Sequence, residues 1–344
     1  MYNTSCVSLA KANTVQTVLT YVALNKSAKT KLFLLDKSGQ GKRMYEALTL
    51  QHASDGITFC KYRFQLYFLV FSLLMQTKCT LYARSALFGM VCVLILGRTA
   101  VIELHQDVFS RKSIINWLLI KLFQRIKFPK LKLFTISTAL KNIYHCQGIK
   151  QDISVLHDGF DPTFVPTTLN IKKRATYTGL VSHERGFSEI LDLANNFTDW
   201  YFIIIGANAH EVKYYKEIVH NANLNNVRIY RKQNRKRVKL FQHNSDVLLA
   251  FWGDNVPTMR YCSPLKVFEY LATGNKILMH DYPVLDEVVP RCPSVERFVA
   301  GDTDAAITAF TKLINLGPNK DEHLINHSQS YTYDERVKNL LSNI

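Results

Sequence analysis

At 344 residues the chain is long for one hydrophobic core and suits two domains of about 150 residues each. Hydrophobic residues make up 47% and charged residues 20% of it, a globular balance that excludes a disordered or low-complexity chain. Lysine and arginine outnumber aspartate and glutamate 43 to 27, so the surface field draws polyanions such as nucleotides, anionic lipid and nucleic acid.

The opening segment MYNTSCVSLAKANT is polar and has no apolar core, so no secretory signal peptide is expected there. Cysteines at 6, 60, 79, 92, 146, 262 and 292 form no C-x-x-C pair and are odd in number, which argues against a disulfide framework and against a zinc site. A reducing cytoplasm is the expected setting.

Strands are expected at Lys31 to Leu35, Thr80 to Arg84, Ala100 to Leu104, Leu133 to Ser137 and Ile153 to Leu156, with helical periodicity between them. The most apolar stretch, Phe64 to Gly97, is cut by Gln76, Thr77, Lys78 and Arg84 into pieces of about a dozen residues, short of the roughly 20 that a membrane helix requires. It reads as helix, strand, helix. In NWLLIKLFQRIKFPKLK, Asn116 to Lys132, apolar positions at Trp117, Leu118, Leu119, Leu122 and Phe123 alternate with Lys121, Arg125, Lys127, Lys130 and Lys132. That pattern fits a core helix with a charged back, or a surface resting on anionic lipid.

Gly159, Pro162 and Pro166 break the rhythm in HDGFDPTFVPTTLNIKKR, which reads as a linker. A second alternating set follows, with strands expected at Ala175 to Thr178, Tyr201 to Gly206, Val227 to Tyr230, Val247 to Ala250 and Lys276 to His280. A closing helix is expected from Ser330, with its apolar stripe at Val337, Leu340 and Leu341. The expected boundaries are therefore 1–160 for the first domain, 161–174 for the linker, 175–329 for the second domain and 330–344 for the closing helix. Strand–helix alternation implies parallel sheets with helices on both faces.

The chemistry concentrates in YCSPLKVFEYLATGNKIL. Ser263 and Pro264 suit a helix N-cap and first turn, and Gly274 suits its end. A helix start with Lys266 in its first turn makes an anion site into which a diphosphate fits. Glu269 lies three residues beyond Lys266 on the same face, where a carboxylate can accept hydrogen bonds from ribose hydroxyls. In YTGLVSHERGFSEILDLA, Gly179 follows a strand and Arg185-Gly186 opens a helix, a second phosphate-facing turn with a guanidinium in place.

The pattern S-P-L-K-x-F-E-Y-L-A-x-G-N-K-I-L resembles the donor-site signature of the family-4 glycosyltransferases. The likeness extends to TLYARSALFGMVCVLILGRTAVIELHQDV, to FTISTALKNIYHCQGIKQDISVLHDGFDPTFVP and to YTYDERVKNLL, and so covers the chain from about Asn3. The family usually begins with a strand ahead of the loop that NTSCVSLAKANTVQTVL resembles, and this chain starts almost at that loop, so the strand is expected either to be missing or to lie upstream of this start. The resemblance implies an α/β protein of GT-B fold, two Rossmann-like domains with parallel sheets facing across a cleft.

It implies further that Glu269 holds the ribose, that Pro264, Leu265 and Lys266 meet the diphosphate, that Arg185 reaches the pyrophosphate, and that His105 lines the cleft. A second glutamate frequent in the family is Tyr261 here, which makes Arg260 and Tyr261 the candidates for the donor-sugar contact. An arginine frequent after the first glycine is Leu180 here. Backbone around Lys232, in YRKQNRKRVK, is expected to flank the nucleobase.

The activity so implied is retaining transfer of a sugar from a UDP- or GDP-linked donor to a saccharide or lipid-linked hydroxyl acceptor, in surface polysaccharide or glycolipid assembly. Arg185, Lys266 and His105 are the expected catalytic residues. No metal or cofactor is expected, and no nucleic-acid motif supports a nucleic-acid partner. The expected location is cytoplasmic, peripheral on the inner face of an anionic membrane. The alternatives are a GT-B sugar-nucleotide epimerase, for which paired acid and base residues are not found, and an inactive scaffold.

Overall fold

The computed structural model describes residues 2–6, 12–49, 56–108, 113–162, 173–253, 256 and 258–344, and for 2–6, 12 and 13 the backbone alone. The chain divides into two compact units. The first is Met1–Gly159 with Tyr261–Ser263 and Tyr333–Ile344, and the second is Phe160–Arg260 with Pro264–Thr332.

The first unit alternates β1 (Tyr2–Cys6), α1 (Ala12–Ser27), β2 (Leu32–Leu35), α2 (Gly41–Thr49), β3 (Ile57–Cys60), α3 (Arg63–Gln76), β4 (Leu81–Ala83), α4 (Ala86–Leu94), β5 (Ala100–Leu104), α5 (Ile114–Arg125), β6 (Leu131–Thr135), α6 (Thr138–Cys146) and β7 (Ile153–Val155). Strands β1-β2-β3 and β4-β5-β6-β7 form two parallel sheets, and β1 comes against β4. Both faces are covered, so the strands are apolar on both sides. Phe33, Leu35, Leu81, Ile102 and Leu133 share one core with Leu66, Met90, Phe123 and Leu140 of α3 to α6. Their alternates Leu34, Val101 and Phe134 are buried outside that core.

The stretch Phe64 to Gly97 is α3, β4 and α4, and among the described residues no helix is long and apolar enough to cross a membrane. A strand was expected at Leu133 to Ser137 but runs from Leu131 to Thr135. The shift arises because Ser137 caps α6, its hydroxyl accepting the Leu140 N–H at 3.1 Å. Tyr2–Cys6 forms β1, parallel to β2, where the opening strand was expected to be missing or to lie upstream. β1, with Asn3, Thr4 and Ser5 at its centre, lacks the apolar run that announces a strand, and in β3 Thr58 interrupts one.

The second unit comprises β8 (Arg174–Thr178), α7 (Phe187–Asn196), β9 (Tyr201–Ala207), α8 (Val212–Asn221), β10 (Val227–Arg231), α9 (Arg235–His243), β11 (Val247–Ala250), α10 (Leu265–Leu271), β12 (Lys276–His280), β13 (Val295–Phe298), α11 (Thr303–Asn315) and α12 (Glu322–Ser328). Its parallel sheet has the order β10-β9-β8-β11-β12-β13. The direction of winding reverses between β8 and β11, which is the Rossmann switch point, and ligands bind beyond the carboxyl ends of the strands there. Of the expected linker, 163–172 lie outside the described residues.

The helix α10 is shorter than expected. Pro264, extended at φ −79 and ψ 122, stands at the N-cap without a side-chain cap bond, while the Ser263 hydroxyl accepts the Asp158 N–H at 3.0 Å. Ser263 is therefore not the cap. At the other end the Thr273 hydroxyl bonds the Tyr270 carbonyl at 2.7 Å, and Gly274 takes φ 69. Near the C-terminus a short 3₁₀ turn at Gln329–Tyr331 precedes α13 (Tyr333–Leu341). This last helix returns to the first unit and packs on α1.

Candidate functional site

At the switch point of the second unit, glycines let backbone meet backbone. Gly179 follows β8 at φ 147 and donates its N–H to the Ile205 carbonyl at 2.9 Å. A Cβ on Gly206, itself at φ 133, would lie 1.9 Å from the Gly179 oxygen, so only glycine permits this approach. The chain then makes a 3₁₀ turn at His183–Arg185 and enters α7 through Gly186 at φ 76. From the β11 side, a Cβ on Gly253 would lie 1.9 Å from the Glu184 oxygen. The turn that carries Arg185 is thereby seated on the loop that follows β11.

Lys266, in the first turn of α10, reaches into the same place. Its Nζ donates to the Phe251 carbonyl at 3.1 Å and sits 4.0 Å over the Trp252 ring and 4.5 Å over the Tyr177 ring, a placement that desolvated rings favour. Burial pushes the Tyr177 hydroxyl up, and the neighbouring Arg185 charge works against that shift. Lys266 lies over this buried ring, and the charge of Arg185 acts on the same hydroxyl. The Arg185 guanidinium makes no ion pair among the described residues, so positive charge is concentrated at the strand ends, where an anion gains most.

The loop they share is held from beneath by a pair that sequence spacing did not suggest. His280, at the end of β12, stacks on Phe251 with ring centroids 4.8 Å apart, bonds the Trp252 backbone through Nδ1, and brings Nε2 within 3.1 Å of Glu189 Oε1. That oxygen accepts the Gly301 N–H at 2.8 Å. Burial alone would raise the Glu189 carboxyl, but His280 brings it below its usual range.

Glu269 belongs to a polar network at the other end of α10. Its Oε1 is 3.2 Å from Arg235, and its Oε2 accepts the Gln242 amide at 3.1 Å. Gln242 in turn donates to Thr178, which bonds the Tyr270 hydroxyl. The carboxylate is oriented rather than buried outright, with 15% of its side chain exposed. Lys232, exposed beyond β10, donates its N–H to the Ala207 carbonyl at 3.0 Å, which places it at the carboxyl edge of the same sheet. Arg235 and Gln242, on α9, carried no motif in the sequence.

The remaining expected donor residues are distributed differently. Arg260 is exposed and ends its segment of the second unit. Tyr261 belongs to the first unit, with its ring buried in that core and its carbonyl accepting the Ser137 hydroxyl at 2.8 Å. Pro264 and Leu265 open α10.

In the first unit, His105 follows β5 and joins a buried charged group. Glu103 Oε1 lies 2.5 Å from both His105 Nε2 and the Arg336 guanidinium, and 3.9 Å from Arg84. Tyr82 donates to its other oxygen. Burial would raise the Glu103 carboxyl, but Arg336 and His105 hold it well below its usual range. An ionised Glu103 can only accept, so His105 Nε2 carries the proton and Nδ1 is left as an acceptor. Burial, followed by the Arg84 charge, pulls His105 down to about 4. Burial pushes Asp158 up to about 7, and its Oδ1 has no hydrogen-bond partner among the described residues.

Ligand atoms of Glu103, His105 and Asp158 lie within 4.8 Å of one another. The one carboxylate held ionised, Glu103, is already compensated by Arg336 at 2.5 Å and Arg84 at 3.9 Å without a cation.

No family model matches the sequence, and no curated protein matches it. Solved structures do. A glycosyltransferase from Rickettsia africae is 12% identical over 98% of this chain and 96% of its own, with a TM-score of 0.69. HepE from Anabaena, solved in complex with UDP and glucose, is 14% identical over 100% of this chain and 98% of its own, also at 0.69. The sucrose-phosphate synthase of Thermosynechococcus elongatus is 10% identical over 98% and 96%, at 0.69. These similar structures are of GT-B type, and the fold here is of that type, an α/β chain of two Rossmann-like bodies with parallel sheets.

Proposed function

We propose that the chain is a retaining glycosyltransferase resembling family 4, which moves a sugar from a UDP- or GDP-linked donor to a hydroxyl acceptor in polysaccharide or glycolipid assembly. The observation that carries the reading is that two cations gather at the β8/β11 switch point: Lys266 over the Tyr177 ring, and Arg185 in the turn after β8, whose charge acts on the Tyr177 hydroxyl. A diphosphate leaving group gains charge as the glycosidic bond breaks, and fixed cations on a dry aromatic floor stabilise that charge without reorganising. The complex of HepE with UDP and glucose supports a nucleotide sugar as the donor.

In this reading Lys266 and Arg185 compensate the leaving diphosphate and no metal is needed. Glu269, oriented by Arg235 and Gln242, accepts the ribose hydroxyls and takes no part in bond breaking. No carboxylate nucleophile is assigned, so the acceptor hydroxyl attacks the face that the diphosphate leaves, and the departing phosphate takes its proton. His105, neutral at physiological pH, offers Nδ1 as an acceptor to a sugar hydroxyl. The proposed setting is the cytoplasmic side of a membrane.

A panel of UDP- and GDP-sugars offered with saccharide and lipid-linked acceptors tests this, with the anomeric configuration of any product read by NMR. Transfer with retention is expected from one donor. Absence of both transfer and donor hydrolysis across the panel, or an inverted product, would overturn it.

A further inference from the structure

Thirteen of the twenty exposed large hydrophobic side chains among the described residues lie between Tyr62 and Ile126, although that stretch is a small part of the chain. They stand on one side of the first unit. Helices α3, α4 and α5 each bury one face in the same core, through Leu66, Met90 and Phe123 respectively, so their opposite faces all point away from the same side of the sheets. On α3 the outward residues are Phe64, 73% exposed, with Phe68 and Met75. On α4 they are Leu87 and Leu94, and Tyr67 and Phe88, 5.5 Å apart, pack α3 against α4. On α5 they are Ile114, Trp117 and Leu118, with Trp117 53% exposed.

The charge around this face has one sign. Between Ile57 and Gln151 the only carboxylates are Glu103 and Asp107, and both are buried. Lys61, Arg63, Lys78, Lys121 and Arg125, on or next to the same helices, are all exposed. An apolar surface of this extent is unusual on a chain that stays in water. A second copy of the chain would set these cations against themselves across a two-fold contact, since such an interface is built from the same patch twice. An anionic bilayer complements both features, taking the aromatic and aliphatic side chains below its headgroups and the cations among them.

We infer that the outer face of α3, α4 and α5 is a membrane-docking surface that seats the first unit on anionic lipid. The inference goes beyond the proposed sugar transfer and does not rest on it. The face lies on one unit alone and needs no membrane-spanning helix.

Flotation of the full chain with vesicles tests it, using phosphatidylcholine alone or with an equal part of phosphatidylglycerol. The protein is expected to float with the anionic vesicles, to be released by high salt, and to stay behind with the neutral ones. The doubly substituted Phe64→Glu/Phe68→Glu and Trp117→Glu/Leu118→Glu chains are each expected to lose at least about tenfold in partition. Tyr214→Glu/Leu316→Glu, exposed on the second unit, is the control and is expected to float as wild type does. Failure of the wild type to float, retention of flotation by both α3 and α5 variants, or equal loss by the control overturns the inference. So does a dimer in sedimentation that the α3 and α5 substitutions dissolve while lipid binding is absent. Because flotation requires no donor or acceptor, its failure leaves the transferase reading standing, and an inactive enzyme that floats separates the two in the other direction.

Discussion

Arg336 and His105 meet on a single atom: the guanidinium of one and Nε2 of the other each lie 2.5 Å from Oε1 of Glu103. Arg336 comes from α13 at the far end of the chain and is 3% exposed. It also donates to the His157 carbonyl at 2.9 Å and to Thr20 at 3.2 Å. The last helix therefore orients the carboxylate that orients the histidine.

Arg336→Ala is expected to cost about 3–5 kcal/mol, because it strands an ionised Glu103 in the core. Urea unfolding reads that loss. Combining it with Glu103→Gln should cost less than the sum of the single changes, since the stranded charge is then gone. Additive losses would show that the two groups are not coupled.

Asp158 and His105 give the first unit opposed pH dependences. Asp158, held near 7, keeps a proton that the unfolded chain releases above about 4, so its contribution falls as pH rises through that window. His105, held near 4, stays neutral where the unfolded imidazole is protonated, so its contribution is present above about 6.5 and is lost as pH falls toward 4. Asp158→Asn removes the first dependence alone. Its melting temperature relative to wild type is expected to rise between pH 5 and pH 8, by an amount equivalent to a few kcal/mol. A difference that is flat with pH would contradict the burial of an ionisable Asp158.

Lys266→Ala and Arg185→Ala are each expected to lower turnover with a sugar nucleotide at least roughly tenfold. Arg185→Ala should leave the fold unaffected, because Arg185 is in no ion pair among the described residues, whereas Lys266→Ala also removes a bond to the Phe251 carbonyl and two ring contacts, so its turnover is read per folded protein by circular dichroism. Wild-type turnover in both variants would remove the basis of the proposed diphosphate site.

Gly253→Ala tests how the Arg185 turn is seated. The added carbon would stand 1.9 Å from the Glu184 oxygen, so one backbone must move, at a stability cost of about 1–3 kcal/mol. If that contact positions Arg185, affinity for UDP should fall alongside stability, as titration calorimetry would read. Unchanged stability would show that the two loops accommodate a side chain.

Much of the architecture was legible beforehand, and the places where it was not share a cause. Ala100–Leu104, Val247–Ala250 and Lys276–His280 are strands at their expected boundaries, since each is a short apolar run between turn residues. β13, with Glu296 and Arg297 at its centre, lies at a sheet edge, where burial on both faces is not required and the apolar signal is lost. Ser263 has the chemistry of an N-cap, yet a tertiary partner, the Asp158 N–H, claims its hydroxyl.

Local composition by itself determined that this chain alternates strand and helix in two parallel-sheet bodies, and that Gly179, Arg185, Lys266 and Glu269 stand near strand and helix ends. Those properties are set within one turn or one strand, by burial period and backbone preference. Only the tertiary structure decided that Lys266 sits over Tyr177 while the charge of Arg185 acts on its hydroxyl, that His280 and Glu189 brace the loop after β11, that Arg235 and Gln242 orient Glu269, and that Arg336 of the last helix reaches Glu103. Each of these joins side chains far apart in the sequence, whose pairing depends on strand order and helix packing and leaves no local periodicity to read.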